Sequence, residues 1–465
     1  MTSIPQNSEL LNHLAELLSA HRHLFRQERV FQRVALLVMA EIVALARHTV
    51  TQLLMGVGLT EADWSGWYRL FSRRRFDYEG ASAVVMAETL KHVGVDEVYV
   101  VAGDSTQTRR SSRKVEGTSW LHNPLSPAFR RGIHMAQRWY HGSWLAPAED
   151  GYSRAVPLWW QPAFTAKSKP RTTTPCKEWE AALGFLRWLR QQLVSHGRTA
   201  QRVLMVADGH FDNVQLWSQL PAGVILLVRS ASNRALWRLP AADARRNRQY
   251  GERALTPQEY WQQRQGWQKL TLDVRGKPRH LQVKVDGPFL RRSAGHCPLF
   301  LIVVRGKANP HTRRDPLPFL VNAVQDAAGV WQLPLPVEQL LFWAWQRWEI
   351  EVAHRELKSN FGLGDKQCWN PHAAVLSVQW SAWVYALLLL AGYRAWGLTD
   401  GPPVPTAWWQ GSRRWSLNTL WRGYRAALWG AHQFQPIRPD DLLTRGDLDW
   451  FQPALRHAVF AAARS

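Results

Sequence analysis

The chain has 465 residues, with 58 Lys and Arg against 36 Asp and Glu, so its formal net charge is +22 and its calculated pI is about 10.6. Hydrophobic residues make up 46% and aromatic residues 11%, enough to bury a large core, which excludes a disordered chain and at this length points to roughly two to four domains. A cationic surplus of this size attracts polyanions, so nucleic acid leads as the partner class, with an anionic membrane a distant second.

In chain order, residues 1–94 carry apolar side chains at three- and four-residue spacing (Val34, Leu37, Val38, Ile42) with no strand-like alternation, predicting a helical N-terminal domain. Within it, Thr49–Leu54 and Asp63–Phe71 flank Gly56-Val57-Gly58, a turn signal that fits either a helix-turn-helix or two core helices with a solvated basic edge. The start, MTSIPQNSELLNHL, lacks a basic segment followed by an apolar run, so no secretory signal is expected. Cys176, Cys297 and Cys368 are too few for a disulfide framework and too far apart for a CxxC knuckle, and a reducing cytoplasm is the expected location.

The period changes after Lys91. Val98–Ala102 is a short apolar run that predicts a buried strand ended by Gly103-Asp104, and Ile133–Trp144 and Ser153–Phe164 predict two more. A helix is expected over Lys177–His196, then a strand at Val203–Ala207 ending at Asp208, a short helix, and a strand at Val224–Val228. This segment, 95–230, is followed by a β-rich insertion over 231–336 (Lys269–Val274, His280–Val285, Pro298–Val304, Val330–Leu335), a long helix from Val337 to about Asn360 within 337–365, and a helical C-terminal region, 366–465. Ala373–Gly392 is apolar enough to imitate a membrane span, but Ser377, Gln379 and Ser381 in its first half favour a buried core helix. The Pro-rich stretch Gly401–Pro405 marks a boundary inside the C-terminal region.

Two aspartates end two of these strands. In an α/β sheet, the C-terminal ends of neighbouring strands meet on one edge, where ligand sites form, and a pair of carboxylates there suits a hard divalent cation. Singly, each Asp could equally be a turn former or helix cap. A third acid is expected on the helix RWEIEVAHRELK, where Arg347, Glu351 and Lys358 fall within about 40° of one another and form one stripe. Glu349 and Glu356 are rotated about 160° and 140° from Glu351, so only one of the three can face the aspartates. Asp212, four residues past Asp208, is a reserve ligand. No His/Cys cluster has zinc spacing, and no Gly-Lys-Ser/Thr phosphate loop occurs.

Together these residues resemble the DDE transposases of bacterial insertion sequences, the number-four family and its relatives, whose hallmark is Y-x2-R-x3-E-x6-K. Arg347, Glu351 and Lys358 fit that spacing, while the tyrosine position holds Ala344 between Trp343 and Trp345. The resemblance also rests on Gly103-Asp104-Ser105-Thr106, on Ala207-Asp208-Gly209-His210-Phe211-Asp212, and on a β-insertion before the Glu helix. It implies an α/β, RNase H-like catalytic core interrupted by that insertion, with Asp104, Asp208 and Glu351 holding two Mg²⁺ ions, for which Mn²⁺ can substitute. It further implies cut-and-paste chemistry on double-stranded DNA: cleavage at terminal inverted repeats, then joining of the freed 3′-OH to target DNA by a homodimer that pairs two ends. The alternatives are a nuclease that never joins strands and a catalytically silent DNA-binding derivative. Arg347 and Lys358 would contact phosphates, with His354, Arg229 and Trp331 as further DNA contacts, Trp331 by stacking on an unpaired base. His354 and Arg229 could also be ordinary surface residues, and Trp331 a core residue.

Overall fold

The computed structural model describes residues 7–127, 129–241, 249–295, 297–306, 316–402 and 414–431. The Pro-rich stretch from residue 403 onward, Arg313-Arg314, Arg413 and everything after 431 lie outside the described residues.

Five helices come first: α1 (Asn7–Ala20), α2 (Glu28–Val43), α3 (Val50–Gly56), α4 (Ser65–Ser72) and α5 (Tyr78–Leu90). Their buried stripes (Leu10, Leu14 and Leu17 on α1; Val34, Leu37 and Val38 on α2) follow the helical period. Thr49 and Asp77 cap α3 and α5 by accepting backbone N–H bonds from Gln52 and Gly80. Residues 57–64 separate α3 from α4, a longer link than the three- to four-residue turn of a helix-turn-helix.

The middle of the chain forms one mixed sheet. Its strands are β1 (Tyr99–Arg109), β2 (Ser119–His122), β3 (Ile133–Leu145), β4 (Ala155–Pro162), then, after helix α6 (Glu178–Ser195), β5 (Val203–Ala207), and, after α7 (Val214–Ser218), β6 (Val224–Arg229). β3 runs antiparallel to β1 on one side and to β2 and β4 on the other, while β5 and β6 are parallel to β1. This is the RNase H-like arrangement expected.

Two expectations change here. The first strand does not stop at Gly103-Asp104: Ser105 to Arg109 continue it with alternating, threonine-containing sequence, paired only to β3. β2, too short to show a period, was not expected. The insertion continues the same sheet. It adds β7 (Trp237–Arg238), α8 (Pro257–Gln262), β8 (Gln268–Asp273), β9 (Pro278–Leu290), β10 (Leu299–Gly306) and β11 (Leu317–Asn322), and β11 pairs antiparallel with β6, so that core and insertion share an eleven-stranded sheet. A two-stranded ribbon, β12 (Val324–Gln325) and β13 (Trp331–Gln332), closes the segment.

The long helix is split into α9 (Val337–Gln346) and α10 (Trp348–Ser359). At the junction Ile350 N–H bonds to Arg347 O, a tighter i−3 turn that kinks the axis without leaving helical backbone angles. Then α11 (Pro371–Trp396), capped by Asn370 and started by Pro371, packs against α1, α4, α5 and β4, and α12 (Leu417–Ala431) lies on α1 and α2. α11 is long and apolar enough to cross a membrane, but its apolar window is 89% buried by protein.

Candidate active site

Asp104 and Asp208 come together through strand register. β1 and β5 pair in parallel up to Gly103 opposite Ala207, so the next residues, Asp104 and Asp208, leave the end of that pairing side by side, about 5 Å apart along the sheet. Gly103 is required for this approach, because a Cβ there would run into the Met205 methyl and the Tyr140 hydroxyl. Asp208 starts a short turn, its Oδ1 accepting the His210 N–H at 2.9 Å.

Burial and the neighbouring Asp208 charge push the Asp104 carboxyl up to about 7, with the Ser105 N–H and Arg347 opposing the shift and Glu351 adding to it. Glu351 is therefore the acid on α10 that senses Asp104. The other two point into structural ion pairs. Glu349 holds Arg275 at 3.0 Å and Arg414 at 3.2 Å, and Glu356 takes a bond from Tyr385 at 2.6 Å and pairs with buried Arg154. Asp212 is not a reserve ligand. It is buried, with its carboxylate bound by Arg291, Arg234, Ser230 and Trp217.

Glu351 itself is ion-paired to Arg347 at 2.5 Å, one helical turn away. Among the described residues no three His, Cys, Asp or Glu side chains close around a single point. What the site offers is an all-oxygen donor set, with two adjacent carboxylates, the charge of Asp208 adding to the cost of ionising Asp104, and a third acid on the facing helix. That set fits a hard divalent cation once Glu351 is free of Arg347, since a cation there would neutralise the charge that now penalises Asp104.

His354 is buried rather than displayed to a phosphate. Its Nε2 meets His141 Nδ1 at 2.9 Å, its Nδ1 lies 3.8 Å from Asp104, and burial with Lys358 and Arg347 nearby drives its pKa to about 3. His141, directly opposite Asp104 on β3, continues the chain to Ser143 Oγ at 2.7 Å. Sequence reasoning missed His141; its position on a predicted strand beside the first aspartate was the available signal. Lys358 is exposed, and partial loss of solvent around its ammonium lowers its pKa, with Asp104 opposing and Arg109 adding to the effect.

Beside Asp208 lies a cleft of about 260 Å³ with a floor of Val206, Leu227 and Phe319, walls of Trp345 and Trp348, and Arg229 and Arg347 at its edge. Ala344 lines it too, and the β8–β9 turn brings in Arg275 and Arg279, which sequence reasoning had not singled out. Trp331 sits half-buried on β13 opposite Gln325, and is not part of this lining.

The sequence profile of the family described as DDE superfamily endonuclease matches residues 21–286, more than half the chain and a span that includes Asp104 and Asp208. No curated protein matches the chain. Family membership implies a nuclease or transposase type of enzyme, a DNA substrate and a divalent metal. With the paired aspartates and the sheet order on one side and the profile match on the other, the chain belongs to the DDE superfamily of endonucleases.

Proposed function

We propose that the protein is a transposase of the insertion-sequence type, cutting at terminal inverted repeats and joining the freed 3′-OH to target DNA. The observation that carries this reading is the register that sets Asp104 beside Asp208, with Glu351 on the facing helix. These three side chains would hold two Mg²⁺ ions, or Mn²⁺ in their place. When bound, such ions activate the attacking oxygen and stabilise the leaving one.

The chain's own residues supply the rest. Arg347, drawn from Glu351 to the DNA backbone, Arg229 across the cleft and Lys358 further along the same helix stripe fix the phosphate beside the cut without reading sequence. His354 and His141, both neutral, crowd the Asp104 side of the site and limit water there. In the first step water attacks phosphorus and the 3′ oxygen leaves as a 3′-OH, with the phosphate kept on the 5′ side; in the second that 3′-OH attacks a target phosphate and expels the target strand's own 3′ oxygen, so one phosphodiester forms for one broken. Two copies would pair two ends, with the helical N-terminal domain reading part of the repeat, in the cytoplasm at the nucleoid.

The test is cleavage of end-labelled DNA carrying the terminal repeats that flank the gene, in Mg²⁺ or EDTA, with wild type beside Asp208→Asn. Metal-dependent nicking at the repeat boundary that Asp208→Asn loses, followed by capture of a second duplex, is the expected result. Nicking without capture would reduce the reading to a nuclease. A gel shift with no cut in Mg²⁺ or Mn²⁺ would make it a silent DNA-binding protein.

A further inference from the structure

The β2–β3 hairpin carries a cluster of large apolar side chains turned to solvent. Leu125 is 86% exposed, Phe129 92%, Ile133 68% and Trp120 52%. Single exposed hydrophobics are ordinary, but four on one hairpin need a partner. The loop is shaped by its own bonds: Asn123 N–H to Gly132 O at 2.9 Å, Gly132 N–H to Ser126 Oγ at 3.0 Å and Arg130 N–H to Pro127 O at 3.0 Å.

The charge around this tip says which partner. Arg130 and Arg131 directly follow Phe129 and are exposed, Arg113 lies over Trp120 at 5.8 Å, and Lys114 lies over exposed Trp369 at 4.8 Å. The sole acid between residues 109 and 135, Glu116, is buried and tied to Arg171 and Thr172. A basic track also joins tip to active site. His134, on the strand that leads from Asp104 to the hairpin, has its pKa lowered by partial burial and then by Arg109, Lys358 and His122, which places Arg109 and Lys358 near that strand.

We propose that the β2–β3 hairpin is a DNA wedge, with Leu125 and Phe129 entering the stack of a duplex whose phosphates are held by Arg113, Arg130 and Arg131. Apolar wedges of this kind part a base step and kink the duplex. The strand sets the distance. Ile133, at the base of the loop that carries Leu125 and Phe129, lies eight residues from His141, the partner of Asp104, which is roughly 27 Å along an extended strand, so the wedge stands about eight base pairs of duplex or more from the cut. This inference rests on the nuclease reading above and adds where, and how, the bound DNA is deformed.

The test uses the full chain in EDTA, so that nothing is cut, with a closed circular plasmid relaxed by a metal-independent topoisomerase. Wild type is expected to shift the topoisomer distribution in proportion to protein bound. Leu125→Ser/Phe129→Ser is expected to lose that shift, to bind about tenfold more weakly, as for loss of one stacked aromatic, and to keep its salt dependence. Arg130→Gln/Arg131→Gln is expected to retain unwinding at saturation while the salt slope falls by about two. On repeat-end duplexes with 2-aminopurine walked outward from the cut, the fluorescence rise should peak about eight base pairs away or further, and not nearer the cut. Wild type that binds and cuts DNA but never unwinds it overturns the wedge and leaves the nuclease reading standing. So does a serine variant that unwinds as wild type does. A serine variant that turns a DNA-free dimer into a monomer in sedimentation assigns the tip to a second copy instead. If wild type neither binds nor cuts DNA, the underlying reading fails with it.

Discussion

Glu41 on α2 is fully buried, and its carboxylate takes three bonds: from His48 Nδ1 at 2.5 Å, Lys366 Nζ at 2.9 Å and Trp380 Nε1 at 2.9 Å. Lys366 stands in the loop after α10 and Trp380 on α11, so one carboxylate ties the N-terminal helices to the exit of the catalytic helix. Burial alone would raise its pKa, but Lys366 and His48 hold it at about 2 against an ordinary 4.5. That difference corresponds to about 3 kcal/mol. Because the folded pKa is depressed, the contribution is whole above about pH 4.5 and is lost as pH falls toward 2. Glu41→Gln should therefore cost about 3 to 5 kcal/mol at pH 7, since it also strands the Lys366 ammonium in the interior, and the gap from wild type should narrow in acid. Urea unfolding, followed by circular dichroism and tryptophan fluorescence together to check that the transitions coincide, measures both. Glu41→Gln/Lys366→Met should recover part of the loss. A cost below about 1 kcal/mol, or a gap independent of pH between 2 and 7, would refute the assignment of this network as the tie.

Three further outcomes follow from the site. Glu351→Gln should abolish cutting while leaving DNA binding and folding near wild type, whereas Glu356→Gln should lower stability by about 3 kcal/mol by unpairing buried Arg154, and Glu349→Gln should cost less because its partners Arg275 and Arg414 are only partly buried; cleavage assays beside thermal melts separate the two classes. Asp104→Asn should stabilise the protein in EDTA, because the wild-type carboxyl, raised to about 7, carries a folding penalty that is absent below about pH 4 and complete above about pH 7. Melts at pH 5 and pH 8 check this, and an equal effect at both would contradict it. Arg229→Ala and Arg347→Ala should each weaken DNA binding uniformly across sequences and reduce the salt slope by about one, read from titrations at several salt concentrations.

Much of the core was legible because its signals are local. Val203–Ala207 coincides with its strand, and Lys177–His196 with its helix to within one residue at each end. The two aspartates were legible because each follows an apolar run. What stayed hidden depends on long-range pairing. Residues 105 to 109 look like a loop until β3 lies beside them, and β11 reads as no strand until β6 receives it. The choice among Glu349, Glu351 and Glu356 could be narrowed by helical angle, but the partners of the losing two, Arg275, Arg414 and Arg154, lie far off in sequence. His354 read as a surface residue because nothing local announces that β3 brings His141 against it.

The union of β6 with β11 bears on how the chain is made. β6 ends at Arg229 and its outer partner finishes at Asn322, so a ribosome adding about 5 to 20 residues per second leaves that edge without a neighbour for roughly 5 to 20 s. An unpaired apolar strand, Val-Ile-Leu-Leu-Val, is a template for wrong pairing with other nascent chains. The acid-bearing helix emerges later still. Slow synthesis over residues 230–316 would lengthen the exposure, and chaperone capture in that interval would be expected to decide the yield of folded protein.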